Sequence, residues 1–569
     1  MITHLIRQSR AALVLASLAC LCAGVASVLL VVLINTALTA EPDARGGLAW
    51  QFAAVAIFAM LARMVASLMF ERLGQQAQAD LRRYITDRAM RADYARLEEV
   101  GADRLQSALT EHSANIAQYF VMLPAILTNA VIVVGCLLYL ALLSWQVFLV
   151  AVLVVGLGSL GYHFAHLRAI RHLEVAAREQ DGLFAGFRSV NAGAKELRLH
   201  QGKRAAFTQD VLHRSIEAVR RARTRGMSIF VVSTSWSHFL IYAFIGLVLF
   251  ALAGEGASQQ RVMTGFALVF LYMVAPLEAL LLNIPRANLA RVAARRIDAI
   301  VQGLVASESA APPAESPATL RSVALRGVTH VYYHEQSDDT FQLGPVDLAF
   351  GPGEIVFLVG GNGSGKTTLA KLLVGLYRPE QGAMTVDGVE VTDANRDAYR
   401  QRFSAIFSDF HLFDRLLEAS RGNLDDEGNR WLERLLLNHK VQVRDGAFST
   451  QALSQGQRKR LALVVAYLEN RPFIVFDEWA ADQDPVFKDV FYRELLPELK
   501  ARGKTVLVIS HDDRYFDLAD RILRMEHGQL LGEAAKAPAT PASAPTGTRP
   551  GLIDAPIPRA EMVPDASPI

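Results

Sequence analysis

Cysteine is scarce in this sequence, and the few thiols present argue against disulfide or zinc chemistry. Only Cys20, Cys22 and Cys136 occur among 569 residues. All three lie in long apolar stretches, and their spacing matches none of the paired patterns that bind zinc. We therefore expect no disulfide framework and small apolar packing roles for these residues.

An excess of either sign of charge is also missing. The chain has 58 Lys and Arg residues against 56 Asp and Glu residues, a formal net charge of +2. A balance this close gives no reason to expect a nucleic-acid partner, because such partners usually require a strongly basic face.

Charged side chains are missing altogether from two long stretches in the first half of the chain. Residues 11–40 and 113–165 contain no Asp, Glu, Lys or Arg. A bilayer core requires about 20 apolar residues per helix, so the second stretch is long enough for two spans. With three further apolar stretches, the pattern predicts an all-α transmembrane domain over residues 1–305. We place its six spans at about 11–40, 48–70, 117–143, 146–165, 227–253 and 262–285.

The same pattern predicts a protein of the lipid bilayer with both termini in the cytoplasm. The first apolar stretch, residues 11–40, is expected to remain as a helix, because a secretion signal has only about 7–15 apolar residues. The connections after spans 2 and 4 are rich in Arg and Lys, whereas the opposite side offers Arg45 and Arg261. Basic connections stay in the cytoplasm.

The second half of the chain carries a phosphate-binding pattern. Residues 360–367 fit G-x-x-x-x-G-K-[ST], in which backbone N–H groups surround phosphates, a Lys reaches the β- and γ-phosphates, and a hydroxyl binds Mg²⁺. The apolar run Ile355–Val359 predicts a strand before it, and a helix N-terminus would meet the phosphates after it. The predicted ATP-binding residues are Gly360, Gly361, Asn362, Gly363, Ser364, Gly365, Lys366, Thr367 and Thr368.

Three more motifs follow in order. Residues 453–457 read LSQGQ, an apolar run then ends in Asp477 and Glu478, and another ends in His511. Strands with such ends are typical of an open α/β sheet, where ligands bind beyond the carboxyl ends. In these motifs the chain resembles ATP-binding cassette transporters, whose signature is LSxGQ. Its long inner and short outer connections resemble the exporter type, so the implied fold is a six-span exporter-type domain plus an α/β P-loop cassette.

The resemblance implies a role for each motif residue in ATP hydrolysis, which depends mainly on positioning and charge stabilisation. Lys366 neutralises the β- and γ-phosphates, while Thr367 and Asp477 bind Mg²⁺, the latter directly or through water. Glu478 polarises the attacking water, and His511 contacts the γ-phosphate. ATP binds between two cassettes, which implies a homodimer. Ser454 and Gly456 complete the ATP site of the second copy, and Gln457 and Asp484, the latter in a match to the family's D-loop, are further ATP-binding residues.

Two positions near the predicted nucleotide stay open. Tyr332 resembles the aromatic residue on which adenine stacks, and Tyr333 is its competitor for that role. Ser408, followed by Asp409, stands where most cassette proteins have a Gln that touches Mg²⁺. The metal contact at that position is therefore left open.

Longer pieces of the sequence resemble the cyclic-peptide exporter group, which includes the syringomycin and pyoverdine exporters. The resemblance implies ATP-driven export of a cyclic or nonribosomal peptide, a lipopeptide or a siderophore precursor across the bacterial inner membrane. Two alternatives stay open: a siderophore importer on an exporter-like fold, and a membrane-tethered regulatory ATPase without transport. About ten residues precede the first span, so no N-terminal peptidase domain is expected. The pieces are residues 195–197, 353–362, 403–413, 453–461, 476–485 and 510–516.

Composition sets the remaining boundaries. Residues 306–319 are rich in Pro, Ala and Ser and predict a linker. The cassette then runs over residues 320–531. Residues 532–569 are rich in Pro, Ala, Ser and Thr and lack a core-forming pattern, so we predict a disordered tail.

Two further features of the membrane half suggest how cargo and ATPase connect. Glu278 lies in the sixth span just after Pro276, with Asn283 following. An ionisable residue at membrane depth usually faces a cavity or partner, so we expect Glu278 to face the peptide; alternatively, it reaches the interface if the span ends early.

Residues 193–200 predict a short coupling helix that rests on the ATPase, or else an ordinary turn bounded by Gly.

Overall fold

The computed structural model describes residues 10–39, 43, 45–247, 250, 257–304, 319–334, 339–417 and 424–533. Its contacts divide the chain into two units. The membrane unit comprises Met1–Asp87 and Ala102–Gln302, and the cassette unit comprises Arg88–Gly101 and Gly303–Ile569. Most of the predicted linker, and the predicted tail from residue 534 onward, lie outside the described residues.

The membrane unit is built from long helices, and six helices among the described residues are long and apolar enough to cross a membrane. Several run well past the predicted spans. The helix Arg45–Met90 has 46 residues, and the helix Trp145–Ala192 has 48. The helices before the cassette are α1 (Arg10–Thr39), α2 (Arg45–Met90), α3 (Tyr94–Val100), α4 (Ala102–Ser107), α5 (Ser113–Leu143), α6 (Trp145–Ala192), α7 (Ala194–Leu199), α8 (Gln201–Ala206), α9 (Arg214–Gly246) and α10 (Ala257–Gly303), with π-helical turns at Ala108–His112 and Phe207–His213.

Two glycines allow α1 and α5 to pack closely. A Cβ on Gly24 would lie 2.6 Å from Val131, and a Cβ on Gly135 would lie 2.7 Å from Val28. Each glycine therefore receives a valine of the other helix, the kind of small-residue contact that membrane helices use to approach one another.

The three cysteines are free thiols. Cys20 and Cys136 are buried among apolar side chains of the membrane unit, whereas Cys22 is exposed.

Among the described residues, the cassette unit contains a mainly parallel six-stranded sheet, an antiparallel four-stranded sheet and a small antiparallel two-stranded sheet. The first has the order β12-β11-β3-β10-β9-β6, with only the edge strand β12 antiparallel to its neighbour, and the second has the order β2-β1-β4-β5. The strands are β1 (Val323–His334), β2 (Asp339–Phe350), β3 (Ile355–Val359), β4 (Gln381–Val386), β5 (Val389–Glu390), β6 (Phe403–Ile406), β7 (Val443–Arg444), β8 (Ala447–Phe448), β9 (Phe473–Asp477), β10 (Thr505–Ile509), β11 (Arg521–Glu526) and β12 (Gln529–Glu533).

Helices cover both faces of the parallel sheet. They are α11 (Lys366–Leu373), α12 (Arg396–Arg400), α13 (Leu424–Arg434), α14 (Gln455–Glu469), α15 (Pro485–Val490) and α16 (Leu496–Ala501), with a π-helical turn at Phe491–Leu495 and 3-10 turns at Trp479–Asp482 and Asp513–Leu518.

The central strands are buried on both faces, which explains their continuous apolar sequences. Phe357 and Phe476 belong to the core on one face of the sheet, and Leu358 and Val475 belong to the core on the other. Because β3, β9 and β10 are parallel neighbours, their carboxyl ends meet at one edge. The phosphate loop and the acidic and histidine motifs follow these three ends.

Candidate functional site

The phosphate loop joins β3 to α11 and depends on glycine at two turns. Gly363 and Gly365 have φ values of 74° and 99°, which L side chains rarely adopt. A Cβ on Gly365 would also lie 2.9 Å from the Phe341 ring. The backbone therefore turns tightly into the N-terminus of α11, where N–H groups without helical partners can bind an anion.

Lys366 spans this loop. Its side chain is buried, and Nζ donates to the carbonyl oxygens of Gly360 at 3.0 Å and Gly361 at 2.9 Å. Burial lowers the pKa of Lys366, while the carboxylates of Glu478 and Asp477 oppose that shift. The ammonium thus lies at the loop where phosphate oxygens would be stronger acceptors than carbonyls.

Asp477 and Thr367, the two predicted Mg²⁺ ligands, lie side by side. Thr367 Oγ1 donates to Asp477 Oδ2 at 3.0 Å, whereas Asp477 Oδ1 is buried without a well-formed hydrogen bond to the described residues. Burial raises the pKa of Asp477, the Thr367 hydrogen bond opposes the shift, and the charge of Glu478 adds to it. A hydroxyl beside a carboxylate oxygen without a well-formed hydrogen bond to the described residues fits Mg²⁺, which prefers oxygen ligands.

Glu478 and His511 lie next to this pair. Glu478 Oε1 is 3.4 Å from His511 Nε2, and both side chains are partly exposed. Glu478 has the left-handed backbone angles φ 50° and ψ 31°, which are uncommon for a residue other than Gly. The structure therefore brings together Lys366, Thr367, Asp477, Glu478 and His511, all five of the residues predicted to act on the phosphates and metal.

The signature segment forms the start of α14. Ser454 is the N-cap, and its side chain accepts from the N–H of Gln457 while Gln457 Oε1 accepts from the N–H of Ser454. This reciprocal cap stabilises the helix start. A Cβ on Gly456 would lie 2.9 Å from the carbonyl oxygen of Asp482, so this glycine lets the loop after β9 approach the helix.

The remaining predicted residues occupy defined places or fall outside the description. Asp484 caps α15 by accepting from the N–H of Phe487 at 2.9 Å. Burial raises the pKa of the Asp477 carboxylate and the backbone of Ser408 opposes that shift, which leaves the role of the Ser408 side chain open. Tyr332 belongs to β1, but its side chain lies outside the described part of the structure, as does that of Tyr333.

A contact region that the sequence did not predict lies in the cassette unit, where α3 packs on the helix that follows the phosphate loop. Tyr377 Oη donates to Glu98 Oε2 at 2.7 Å, and Lys371 Nζ lies 3.4 Å from Glu98 Oε1. Arg378 pairs with Asp93 at 3.0 Å. The sequence signal was weak, since α3 has only seven residues between Asp93 and Gly101.

The predicted coupling segment, residues 193–200, does contain a helix, α7. All six residues of α7 are exposed or partly exposed. A role for α7 in coupling remains a prediction.

A second missed residue lies in the membrane unit. His238 Nε2 on α9 is 3.4 Å from Glu278 Oε2 on α10, and both side chains are about one-third exposed. Asn283 is buried and donates to the carbonyl oxygen of Ala279 in its own helix. Only the sequence position of His238 within an apolar span could have indicated this pairing.

Comparison with known proteins agrees with this arrangement. Residues 343–481 match the ABC transporter family, and residues 10–173 match the ABC transporter transmembrane region. The chain is 35% identical to ATP-binding protein SyrD of Pseudomonas syringae pv. syringae, covering 90% of this chain and 92% of the relative. It is 26% identical to an ATP-dependent lipid A-core flippase of Thiobacillus denitrificans, with 84% of each chain covered. A bacterial Atm1-family ABC exporter with ATP bound has a similar fold, with a TM-score of 0.69, 16% identity and coverage of 93% and 95% of the two chains.

Proposed function

Because the chain belongs to the ABC transporter family, with a transmembrane region and an ATP-hydrolysing cassette in one polypeptide, we propose that it exports a peptide across the bacterial inner membrane. The cargo would be a cyclic or nonribosomal peptide, a lipopeptide or a siderophore precursor. The similarity to ATP-binding protein SyrD carries this proposal, because it extends over 90% of this chain and 92% of the relative. It therefore includes the membrane unit, which selects the cargo, as well as the cassette.

In this proposal the phosphate site works by positioning and charge. Lys366 leaves the loop carbonyls for the β- and γ-phosphates, and Thr367 with Asp477 would hold Mg²⁺, whose charge stabilises the leaving phosphates. Glu478 orients and polarises the attacking water, while His511 contacts the γ-phosphate. Each cassette would require a second copy of the chain, which supplies Ser454, Gly456, Gln457 and Asp484 to the nucleotide, so the working protein is a homodimer.

The membrane unit would hold cargo at the pair formed by His238 and Glu278. Their side chains meet across α9 and α10 at 3.4 Å and remain partly exposed. An ionisable pair on apolar helices is costly unless it serves a partner or cavity. We assign it to polar or cationic groups of the peptide, with both termini and the cassette on the cytoplasmic side.

Vesicles of known orientation test the direction and the class of cargo. In inside-out membrane vesicles, MgATP should drive accumulation of purified syringomycin, used as a cyclic lipopeptide probe, and Glu478→Gln should abolish it. Accumulation in right-side-out vesicles loaded with ATP would instead favour the importer.

Lipid A-core is the rival probe, because a lipid A-core flippase is 26% identical over 84% of this chain. Stimulation of ATP hydrolysis by lipid A-core but not by the peptide would favour lipid transport. Hydrolysis without movement of either probe in either vesicle type would favour a regulatory ATPase.

A further inference from the structure

We propose that Lys459 is a positioning residue that fixes the backbone of Glu478 and links the signature segment to the base of its own cassette. This inference rests on the role proposed above for Glu478. Lys459 lies on α14, five residues after the N-cap Ser454, and is only 3% exposed. Its Nζ donates to the carbonyl oxygen of Glu478 at 2.9 Å and lies 2.7 Å from Asp482 Oδ2. Both acceptors come from the loop after β9.

A second hydrogen bond runs in the opposite direction. Trp479 Nε1 donates to the carbonyl oxygen of Lys459 at 2.9 Å. Trp479 is 1% exposed, and its ring lies 4.3 Å from that of Phe491 between centroids. Lys459 therefore exchanges hydrogen bonds with two consecutive loop residues, and α14 cannot shift against the loop without breaking both.

The backbone of Glu478 needs such support. Its φ of 50° lies in the left-handed region, which a residue with a Cβ occupies only when its surroundings hold it there. The N–H of Glu478 donates to the carbonyl oxygen of Ile509 at 3.1 Å, and its own carbonyl oxygen accepts from Lys459. These two bonds fix the direction of the Cα–Cβ bond, and with it the place of the carboxylate beside His511.

The start of α14 is tied to the same loop. Gln483 Nε2 donates to the carbonyl oxygen of Gly456 at 3.0 Å, and Gln455 Nε2 donates to Asp482 Oδ2 at 3.2 Å. In the proposed homodimer the signature touches ATP bound by the partner copy. Lys459 then connects that contact to Glu478, which acts on the other ATP, so the two sites of the dimer are coupled through α14.

Steady-state ATP hydrolysis by the full-length protein in nanodiscs tests the positioning role. Lys459→Met removes the donor while keeping the chain length, and we expect kcat to fall by about 10- to 100-fold with the KM for MgATP within about twofold of wild type. Lys459→Arg, which keeps a cationic donor, should recover most of the rate. Arg458→Met is the matched control, because Arg458 is the neighbouring cation on the exposed side; its rate should stay within about twofold.

A double variant separates positioning from general support of the fold. Adding Lys459→Met to Glu478→Gln should change the residual rate by less than about twofold, because no base is left to position. The inference would be overturned if Lys459→Met reduced the hydrolysis rate by the same factor in the wild-type and Glu478→Gln backgrounds. A wild-type rate in Lys459→Met alone would also overturn it. A wild-type rate in Glu478→Gln would overturn the role of Glu478 itself.

A milder variant covers the case in which Lys459→Met does not fold. Trp479→Phe keeps an aromatic ring at this buried position, but it removes the Nε1 donor together with part of the indole. We expect a several-fold loss of kcat with an unchanged KM, and an unchanged kcat would count against the link between α14 and the loop.

Discussion

Two oppositely charged groups of the phosphate site, Lys366 and Asp477, are buried. Lys366 Nζ donates to the carbonyl oxygens of Gly360 and Gly361. Asp477 is buried, and one of its oxygens lacks a well-formed partner among the described residues. Both groups are thus arranged for ligands that carry more charge than the protein supplies.

The first prediction separates binding from hydrolysis. Glu478→Gln should bind ATP like the wild type but hydrolyse it at least about 100-fold more slowly, because the attacking water loses its polarising carboxylate. Lys366→Ala should weaken binding itself. Nucleotide affinity by equilibrium binding, beside steady-state turnover, distinguishes the two variants, and wild-type turnover in Glu478→Gln would refute the assignment.

The second prediction concerns pH. Burial raises the pKa of Asp477, so without metal its protonated form persists to higher pH than in an ordinary Asp. That preference stabilises the metal-free fold below the ordinary Asp pKa and is lost as pH rises through the raised value. Since Mg²⁺ requires the carboxylate, the Mg²⁺ concentration for half-maximal hydrolysis should rise as pH falls.

Mg²⁺ titrations at a series of pH values, from neutral pH down toward the ordinary range of an Asp side chain, measure this competition. The control is Mg²⁺-dependent nucleotide binding, measured over the same pH series in the wild type and in Asp477→Asn. Any pH effect that the variant retains belongs to the nucleotide. An equal pH effect in both proteins would contradict the prediction.

The third prediction concerns the pair in the membrane. Glu278→Gln should reduce export and cargo-stimulated hydrolysis while leaving basal hydrolysis and dimer formation nearly unchanged. His238→Gln should act in the same direction, because the two side chains lie 3.4 Å apart. Basal and stimulated ATP hydrolysis in nanodiscs, measured beside export from cells, provide the test; a collapse of basal hydrolysis would make Glu278 a structural residue.

At the scale of elements, α3 lies in the basic connection after span 2 and contacts the phosphate-loop helix α11 through Glu98. The Glu98 carboxylate accepts a hydrogen bond from Tyr377 Oη at 2.7 Å, and Lys371 Nζ lies 3.4 Å from it. Lys371 lies on α11. Because α11 begins at Lys366, one short helix carries both the phosphate lysine and the lysine that contacts α3.

The fourth prediction tests that contact. Glu98→Gln should lower cargo stimulation of ATP hydrolysis several-fold with little change in the basal rate, because the charge-assisted bonds to Tyr377 and Lys371 weaken. Glu99→Gln is the matched control, since Glu99 is exposed and pairs only with Arg96 of its own helix among the described residues. Equal behaviour of the two variants would argue against a coupling role for α3.

The sequence predicted elements where burial imposes a pattern. The strands β3, β9 and β10 and the charge-free membrane spans could be predicted because these segments are apolar throughout. By contrast, α3 is a seven-residue helix with no buried residue, so no periodicity marks it. The same limit applies to His238 and Lys459, whose partners are 40 and 19 residues away in sequence and adjacent only after folding.

At the scale of the whole molecule, the described part of one chain contains six helices long and apolar enough to cross a membrane, together with one cassette. The phosphate loop and the signature segment belong to different parts of that cassette, and the described signature residues hydrogen-bond one another and the loop after β9. Two copies would provide two complete nucleotide sites.

The fifth prediction tests this assembly. Glu478→Gln and Ser454→Arg chains should each be inactive alone. A mixed dimer places both lesions at one ATP site and leaves the other intact, so partial recovery of hydrolysis is expected if the sites act independently. Co-expression with two affinity tags and sequential purification isolates the mixed dimer; full activity in a strictly monomeric preparation would contradict the model of two shared sites.

The reciprocal contacts of Gly24 with Val131 and Gly135 with Val28 have a mechanical consequence. Each valine projects into a notch on the opposite helix, so sliding or rotation of α1 against α5 would drive a methyl group into backbone. We therefore expect α1 and α5 to move as one rigid body during the transport cycle. Any change of shape in the membrane has to be taken up at other helix contacts.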